Sequence, residues 1–387
     1  MSGWDTATIG SVCSTYSGGT PSTTHPEYYH GRIPWIVSAD LNQGRIRSVK
    51  GRITELGLAR SSAKIVRSGT PLIALYGATA GVAAVSCLTG AINQAVLAMV
   101  PRDVDPEFLF QWLLINREAI IARYTQGGQP NLSGEIVRTI EIPLPPLSEQ
   151  RRIAGALQNV DDLIDSLQRV ITKKQAIKQG MMQELLTGRT RLPGFDGEWN
   201  DVSLGSIATV TMGQSPAGAT YNSDSRGTPL VQGNADIRDR VTFDRVWTTA
   251  PTKLCKRGDV ILTVRAPVGY TAIASRASCL GRGVCALSTK SDNRCLFHAL
   301  VYVEPSWALY EQGSTFTAVN SNEVRSFTLR WPADADERSA IAHVLDDAED
   351  ELRIIELRLG KARAIKQGMM QELLTGRTRL PVQEAVA

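Results

Sequence analysis

An eighteen-residue segment occurs twice in this chain without a single change. Residues 176–193 read AIKQGMMQELLTGRTRLP, and residues 364–381 read the same letters 188 positions further on. Weaker matches at the same offset continue upstream, where Leu157 corresponds to Leu345. Chance does not produce such identity, so the 387-residue chain is predicted to contain two copies of one structural unit.

Each copy ends in a segment with the pattern of a long helix. Apolar residues recur at alternating steps of four and three, as a coiled-coil seam requires. The two seams are Ile153, Leu157, Val160, Ile164, Leu167 and Ile171, and Ile341, Leu345, Ala348, Leu352, Ile355 and Leu359. Gly188 and Gly376 predict the helix ends, and a proline follows soon after each of them, at Pro193 and Pro381. The narrow seam favours pairing of the two helices over packing of each helix on its own globular region.

The segment before each helix consists of short apolar runs separated by Gly and Pro, which is typical of β-rich structure. Turns correspond between the two segments: residues 18–22 parallel 213–217. The sequence therefore predicts an α+β fold in four parts. They are a globular domain (1–147), a long helix (148–190), a second globular domain (191–332), and a second long helix with a tail (333–387).

Composition excludes several classes of protein. Apolar residues make up 43% and charged residues 21% of the chain, which is ordinary for a globular protein, and the net charge is +4. Residues 68–101 carry no charge, but their Gly and Pro residues predict short strands rather than a membrane helix. The six cysteines have no CxxC spacing and the four histidines are scattered, so we expect reduced thiols, no metal site and a cytoplasmic location.

Sequence motifs for catalysis are missing. There is no Asn/Asp-Pro-Pro-aromatic loop of an adenine methyltransferase, and the only Pro-Pro is Pro145-Pro146 within Leu-Pro-Pro-Leu. The GxxxxGK[ST], GxGxxG and GxSxG motifs do not occur either. The chain is therefore predicted to be a binding module without a catalytic centre of its own.

Candidate DNA contacts come from basic and amide-rich segments. Residues 45–52 hold four cations and no acid, which suits phosphates or guanine, although a solvated hairpin has the same composition. Residues 126–131 are rich in amides, which can pair with adenine, although an ordinary polar turn is the alternative. The full predicted set is Arg45, Arg47, Lys50, Arg52, Tyr76, Thr79, Gln94, Gln126, Gln129, Asn131, Gln232, Asn234, Arg238, Arg240, Arg265, Arg282, Gln312 and Thr315.

This alternation of globular region and long helix resembles the specificity subunit of type I restriction–modification systems, HsdS. The likeness rests on Gly18-Gly19-Thr20-Pro21, Tyr76 to Gly81, Leu144-Pro145-Pro146-Leu147-Ser148-Glu149-Gln150, and both Gln-Glu-Leu-Leu-Thr-Gly-Arg motifs. It covers essentially the whole chain. The second half departs from it, because Arg330-Trp331-Pro332 replaces the Leu-Pro-Pro-Leu segment and Arg282 stands opposite the Asn93-Gln94 pair.

The resemblance implies two target-recognition domains in a pseudo-twofold repeat, separated by two long antiparallel coiled-coil helices. Each domain would read one half of a bipartite, asymmetric DNA sequence, and the helices would act as a ruler. Two adenine-N6 methyltransferase subunits carrying S-adenosylmethionine would dock on the chain. Two restriction subunits using ATP and Mg are a further partner that the resemblance allows, whereas no cofactor is expected in this chain.

The repeated motif predicts where those methyltransferase subunits bind. Helix pairing alone would tolerate changes on the outer faces, so complete retention points to identical partners, one for each copy. The residues predicted at these contacts are Met181, Met182, Leu185, Met369, Met370 and Leu373. Two other functions stay open on the sequence: a coiled-coil scaffold unrelated to DNA, and a freestanding nuclease with an unrecognised motif.

Overall fold

The computed structural model describes residues 3–124, 131–290, 292–311 and 318–380. Its contacts divide the chain into two compact units. Unit 1 comprises residues 1–168 and 358–387, and unit 2 comprises residues 169–357. Both long helices therefore contribute one part to each unit.

Unit 1 begins with short strands and small helices and continues into the first long helix. Its strands are β1 (Asp5–Thr8), β2 (Cys13–Ser17), β3 (Tyr29–Ile36), β4 (Arg45–Ile46), β5 (Arg52–Ile53), β6 (Lys64–Val66), β7 (Pro71–Ala74), β8 (Ala83–Ser86), β9 (Gly90–Ile92), β10 (Val96–Pro101) and β11 (Glu141–Leu144). Its helices are α1 (Ile9–Val12), α2 (Glu55–Ala59), α3 (Pro106–Tyr124), α4 (Gly134–Thr139) and α5 (Leu147–Leu185), which runs on into unit 2.

The strands of unit 1 form one sheet in the order β2-β10-β7-β8-β4, a second in the order β5-β3-β9-β6, and the pair β1-β11. The uncharged stretch of the sequence supplies β7, β8, β9 and β10, whose apolar side chains are almost all buried. Helix α3 packs on β7 and β8 and buries Phe108, Leu109 and Leu113 completely. This apolar burial is the main force that holds the unit together.

Unit 2 has the same plan with different lengths. Its strands are β12 (Trp199–Ser203), β13 (Thr209–Met212), β14 (Tyr221–Asn222), β15 (Thr228–Val231), β16 (Ile237–Arg238), β17 (Val241–Thr242), β18 (Trp247–Thr248), β19 (Leu254–Cys255), β20 (Val260–Thr263), β21 (Thr271–Ile273), β22 (Ser278–Leu280), β23 (Val284–Ser288) and β24 (Thr328–Pro332). Its helices are α6 (Leu204–Ile207), α7 (Asn293–Glu311), α8 (Ser321–Ser326) and α9 (Ala335–Leu373). The sheet orders are β13-β23-β20-β21-β17-β16, β14-β18-β15-β22-β19 and β12-β24.

Within each unit the two long helices run antiparallel. In unit 1, Asp161 of α5 binds Lys366 of α9 at 2.7 Å. In unit 2, Lys174 of α5 binds Glu351 of α9 at 2.6 Å, and Lys178 lies 3.4 Å from Glu349. Every predicted seam residue is buried or half-buried, whereas off-seam apolar residues such as Leu163 and Leu357 are exposed. These contacts confirm the antiparallel pairing of α5 and α9.

The identical segments close each unit against its opening strand. In unit 1, Arg379 donates to both carboxylate oxygens of Glu149 at 2.5 and 2.6 Å, and the Trp4 indole donates to the same carboxylate at 3.3 Å. In unit 2, Arg191 donates to both oxygens of Glu337 at 2.6 and 2.8 Å and lies over the Trp199 ring. We call these groups the two clamps. Because the clamps need the same arginine, they explain part of the repeat's identity.

The predicted helix ends are close to those observed. Helices α5 and α9 end at Leu185 and Leu373, and Gly188 and Gly376 follow with φ of 72° and 70°. Residues other than glycine rarely adopt this left-handed conformation, so both turns require glycine. No helix within the described residues combines the length and hydropathy needed to cross a membrane.

Candidate nucleic-acid interface

In unit 1, three predicted polar residues meet where β7 ends. Leu75 donates its backbone N–H to Ala95 at 2.8 Å and accepts from Leu132 at 2.6 Å, so the next residue, Tyr76, lies between two flanking segments. Tyr76 forms a β-bridge with Asn131 on one side. On the other, the register of β7 and β10 places it opposite Gln94. All three side chains are exposed, and we call this group edge 1.

The turn at Thr20 supports edge 1. The Thr20 hydroxyl donates a hydrogen bond to the Gln94 side-chain oxygen. This turn packs so closely that a Cβ on Gly18 would lie 1.8 Å from the Ile92 carbonyl oxygen. Glycine is therefore required for the turn to reach Gln94. Thr20 is a residue that the prediction missed, although the correspondence of residues 18–22 with 213–217 pointed to it.

In unit 2, two arginines occupy the equivalent edge. Val264 donates its N–H to Gly283 at 2.9 Å and accepts from Val319 at 2.9 Å. The next residue, Arg265, forms a β-bridge with Ala318 and, by the register of β20 and β23, lies opposite Arg282. Both arginine side chains are exposed. We call this pair edge 2.

The equivalent turn also contacts edge 2, but through a backbone hydrogen bond instead of a side-chain one. The Arg282 backbone N–H donates to the Ser215 hydroxyl at 3.1 Å, and Ser215 corresponds in sequence to Thr20. A Cβ on Gly213 would lie 2.0 Å from the Gly281 carbonyl oxygen, just as Gly18 is confined in unit 1. The two edges thus share their support and differ in the side chains that they present.

The prediction of a DNA contact for Arg45 does not fit its place in the fold. Its guanidinium donates to both carboxylate oxygens of Glu107 at 2.6 and 3.0 Å and lies 5.4 Å from the centre of the Phe110 ring. Burial lowers the pKa of Arg45, but Glu107 and Asp161 more than offset this and raise it. Only 15% of the side chain is exposed, so Arg45 ties β4 to α3 instead of facing DNA.

The other cations of residues 45–52 remain at the surface. Arg47 is 61% exposed and pairs with Asp165 of α5 at 2.9 Å. Lys50 and Arg52 are exposed and line a shallow cavity of about 290 Å³ beside Trp35. Because β4 ends at Ile46, these residues lie on a loop edge and the start of β5, not on one strand face.

The predicted polar residues around β16 divide in the same way. Asn234 and Arg238 are exposed, and Arg238 lies over the Phe243 ring at 4.8 Å. Gln232 is half-buried, with its backbone N–H bound to Asp236. Arg240 is withdrawn, because both oxygens of the Glu304 carboxylate bind it at 2.6 and 2.9 Å. The prediction for Arg240 is therefore corrected to a structural ion pair.

The remaining predicted contacts stand as follows. Thr79 is half-buried in a short 3₁₀ turn after Tyr76. Four predicted contacts lie outside the described residues: Gln126, Gln129, Gln312 and Thr315.

Most of the predicted partner contacts in the repeat turn out to be packed inside the chain. Met182 and Leu185 belong to the core of unit 2, and Met370 and Leu373 to the core of unit 1, each less than 10% exposed. Met181 and Met369 are half-buried against the same cores. The predictions for Met182, Leu185, Met370 and Leu373 are therefore corrected to packing inside the chain, whereas those for the half-buried Met181 and Met369 stay predictions.

A cluster of titratable side chains lies between α7 and α9 in unit 2. The His298 ring binds Asp346 at 2.6 Å, and Glu349 lies close enough for the three to share an ion. Arg294 already binds Asp346 and lies 3.6 Å from Glu349, so the cluster's negative charge has a partner. Burial raises the pKa of Asp346, but hydrogen bonds from His298 and Arg294 outweigh it and hold the pKa well below its usual range. The donor set fits a structural ion pair.

Burial raises the pKa of four of the six cysteine thiols, those of Cys13, Cys255, Cys285 and Cys295, and makes them poor nucleophiles. All six are free, and every one except Cys87 is buried. Burial raises the pKa of Cys285 to about 12, and that of Cys255 to about 11. The thiolate is the nucleophile and metal ligand, so these side chains behave as small apolar groups.

The fold and its edges define a class: an internally duplicated protein in which two β-rich units each present an exposed polar edge and each include part of two long antiparallel helices. The family model for the type I restriction modification DNA specificity domain matches residues 1–179 and 196–361. Since these matches cover most of the chain, it belongs to that family, the HsdS specificity subunits.

Individual relatives agree with this assignment. A Methanocaldococcus jannaschii protein with the provisional name type I restriction enzyme MjaX specificity subunit is 28% identical over 306 residues, which are 75% of this chain and 72% of the relative. A solved chain from work on complex assembly and conformational transition of the type I R-M system is 27% identical with a TM-score of 0.60, and the match covers 96% of this chain and 97% of that one. The S subunit from M. genitalium is 14% identical with a TM-score of 0.68 over 98% and 97% of the two chains, which shows a shared fold. The expected α+β fold with duplicated recognition domains is confirmed.

Proposed function

We propose that this specificity subunit reads a bipartite, asymmetric DNA sequence, with edge 1 contacting one half-site and edge 2 the other, and that it carries out no catalysis itself. The observation that carries this proposal is that the supporting turns correspond between the two units while the exposed side chains at the two edges differ. Thr20 and Ser215 hold the same position, while Tyr76 and Gln94 are exchanged for Arg265 and Arg282. Two readers of different half-sites need this combination, because base contacts specify the sequence while the scaffold only positions them.

We further propose that two identical adenine-N6 methyltransferase subunits, which bring S-adenosylmethionine, dock on the outward face of the repeated segment. The apolar residues Ile177 and Ile365 are 46% and 58% exposed there. A Cβ on Gly180 or Gly368 would meet nothing within 4 Å. Glycine inside a helix costs roughly 0.5–1 kcal/mol relative to alanine. Its retention at both exposed positions supports close approach by a second protein, and restriction subunits using ATP and Mg would join the same assembly.

The reading function is tested by coexpressing the chain with its modification subunit and mapping methylated adenine across the host genome. We expect one bipartite motif, with one methylated adenine in each half-site, on opposite strands. Cleavage or methyl transfer by the purified chain alone would show a freestanding enzyme. If binding to duplex DNA shows neither sequence preference nor salt dependence, the alternative of a coiled-coil scaffold unrelated to DNA is favoured instead.

Docking is tested with Ile177→Asp and Ile365→Asp, each copurified with the modification subunit. Each substitution places a charge on an apolar contact, so each variant should retain one partner and the double variant none. The matched control is Leu163→Asp, because Leu163 is 51% exposed on the same helix but lies outside the repeat. Full binding of two partners by the double variant would refute this docking face.

A further inference from the structure

Edge 2 places two arginines just beyond the paired ends of neighbouring strands. The register of β20 and β23 runs to Thr263 opposite Val284, and its continuation by two residues places Arg265 across from Arg282. Like charges on neighbouring segments repel each other. Neither guanidinium has a hydrogen bond or ion pair with any side chain that the structure describes; the side chains of residues 308–317, which include Glu311, lie outside that description. None of the described contacts therefore indicates that these two guanidinium groups stabilise the fold.

Many other arginines of unit 2 pair with carboxylates, as shown by Arg191 with Glu337, Arg240 with Glu304, Arg245 with Asp236, Arg276 with Asp244 and Arg294 with Asp346. Exceptions exist, such as Arg238, which lies over the Phe243 ring, but they are not placed across from a second arginine. Even the well-exposed Arg276 has such a partner. An uncompensated pair at the one edge that differs between the units points to a ligand outside the chain.

The comparison with edge 1 indicates whether that ligand is a DNA phosphate or a DNA base. Phosphates run along both half-sites alike, so a phosphate contact at this place would call for a cation in both units. Edge 1 instead has the neutral Tyr76 and Gln94 at the equivalent positions. Base edges do differ between half-sites, so a difference in side chains is what base reading requires.

We propose that Arg265 and Arg282 read guanine in the half-site contacted by unit 2. Each guanidinium presents a planar fork of donors that matches the O6 and N7 acceptors of guanine in the major groove. The Ser215 hydroxyl accepts a hydrogen bond from the Arg282 backbone N–H, so the Arg282 side chain projects from a fixed point of the backbone. This inference rests on the proposed DNA-reading function and adds the base and the residues that specify it.

The test measures binding of the assembled specificity and modification subunits to a duplex library randomised across both half-sites. Arg265→Gln and Arg282→Gln should each lower the preference for guanine in one half-site. The expected loss is roughly 5- to 150-fold at the affected position, the equivalent of about 1–3 kcal/mol for a bidentate contact. The other half-site should keep its sequence. Arg276→Gln is the matched control, because it removes an exposed arginine of the same unit that already has an acidic partner.

Arg282→Lys separates base reading from charge. Lysine keeps the charge but loses the fork, so the variant should have a weaker guanine preference while its non-specific binding stays near that of the parent. At the one position where Arg282→Gln loses its guanine preference, replacing guanine by 7-deazaguanine, which lacks the N7 acceptor, should weaken binding of the parent and leave binding of Arg282→Gln unaffected.

The outcomes distinguish this inference from the function beneath it. If the glutamine variants weaken binding equally on all sequences and lower the salt slope by about one, the arginines contact phosphate and the guanine assignment is wrong. If the parent is sequence-specific and both glutamine variants keep its base preference, the guanine assignment is wrong but the proposed function stands. A parent assembly with no sequence preference overturns both the assignment and the proposed function.

Discussion

The two units have the same kind of clamp but different side chains at their exposed edges. Each has a clamp in which an arginine of the repeated segment binds a buried glutamate beside a tryptophan. At the edges, in contrast, unit 1 offers an aromatic and an amide side chain where unit 2 offers two arginines. Duplication followed by divergence at exposed positions produces this result, because burial and buried charge constrain the clamp while the solvent leaves the edge free to change.

The strongest test of equivalent scaffolds is truncation of the matched seam leucines. Leu157 and Leu345 are both fully buried, one in each unit's core. Leu157→Ala and Leu345→Ala should each destabilise their own unit by about 2–5 kcal/mol, through lost apolar burial and a residual cavity.

Peptide-resolved hydrogen exchange measures this effect in each unit separately. The control Leu163→Ala removes an exposed side chain and should change protection by no more than about 0.5 kcal/mol. Loss of protection in only one unit for both variants would show that the scaffolds are not equivalent.

A smaller effect is expected from neutralising the clamps. Glu149→Gln and Glu337→Gln keep the shape of the side chain but remove the charge that Arg379 and Arg191 bind. Both variants should have lower thermal midpoints by similar amounts, because in both clamps an arginine of the repeated segment binds both carboxylate oxygens of a buried glutamate.

Calorimetry of the full chain provides the measurement. Asp224→Asn is the control, since Asp224 pairs with Arg226 where both side chains are at least 65% exposed, and such pairs contribute little. If the thermal midpoint is lowered for one clamp variant and not for the other, the two clamps do not contribute equally to stability.

The sequence predicted the scaffold well because the scaffold depends on periodicity. The a/d spacing identified the seam of α5 and α9, and glycine after each helix identified its end. The sequence did not predict which acidic side chain each arginine or lysine pairs with. Arg45 and Arg47 are two residues apart and look alike in sequence, yet Glu107, far along the chain, withdraws only Arg45. The predictions for Met182 and Met370 failed for a related reason, since identity alone does not tell an inner face from an outer one.

Unit 2 has a cluster of Asp346, His298 and Arg294 between α7 and α9 in which the pKa of Asp346 is lowered, and pH should reveal it. Because the folded pKa of Asp346 lies below the value of about 3.9 for an unfolded aspartate, the stability it contributes is complete above about pH 4. That contribution is lost as the pH falls through the folded pKa. Asp346→Asn should therefore be less stable than the parent at pH 7, and the difference should shrink below about pH 4.

Urea unfolding of parent and variant at pH 7, 5 and 3.5 checks this sign. Parent and variant share every other charged or titratable group near Asp346, and these groups include Arg294, His298, Glu349, Asp350, Arg353, Asp292, Arg338 and His343. The difference between the two proteins therefore reports the carboxylate together with its bonds to Arg294 and His298. A gap that widens on acidification would contradict the depressed pKa.

The smallest expected effect on stability concerns Arg47, and it sharpens the contrast between buried and exposed cations within one segment. Its pair with Asp165 is exposed, so Arg47→Ala should change stability by less than about 1 kcal/mol. Arg45→Ala should cost clearly more, because it leaves Glu107 without its bidentate partner in a half-buried site. In DNA binding the order should reverse: Arg47→Ala should weaken binding of the assembled subunits by about 1–3 kcal/mol if the guanidinium contacts a base. Urea unfolding and duplex titration of the same two variants separate these roles, and an Arg47→Ala protein that binds every sequence like the parent would remove Arg47 from the reading surface.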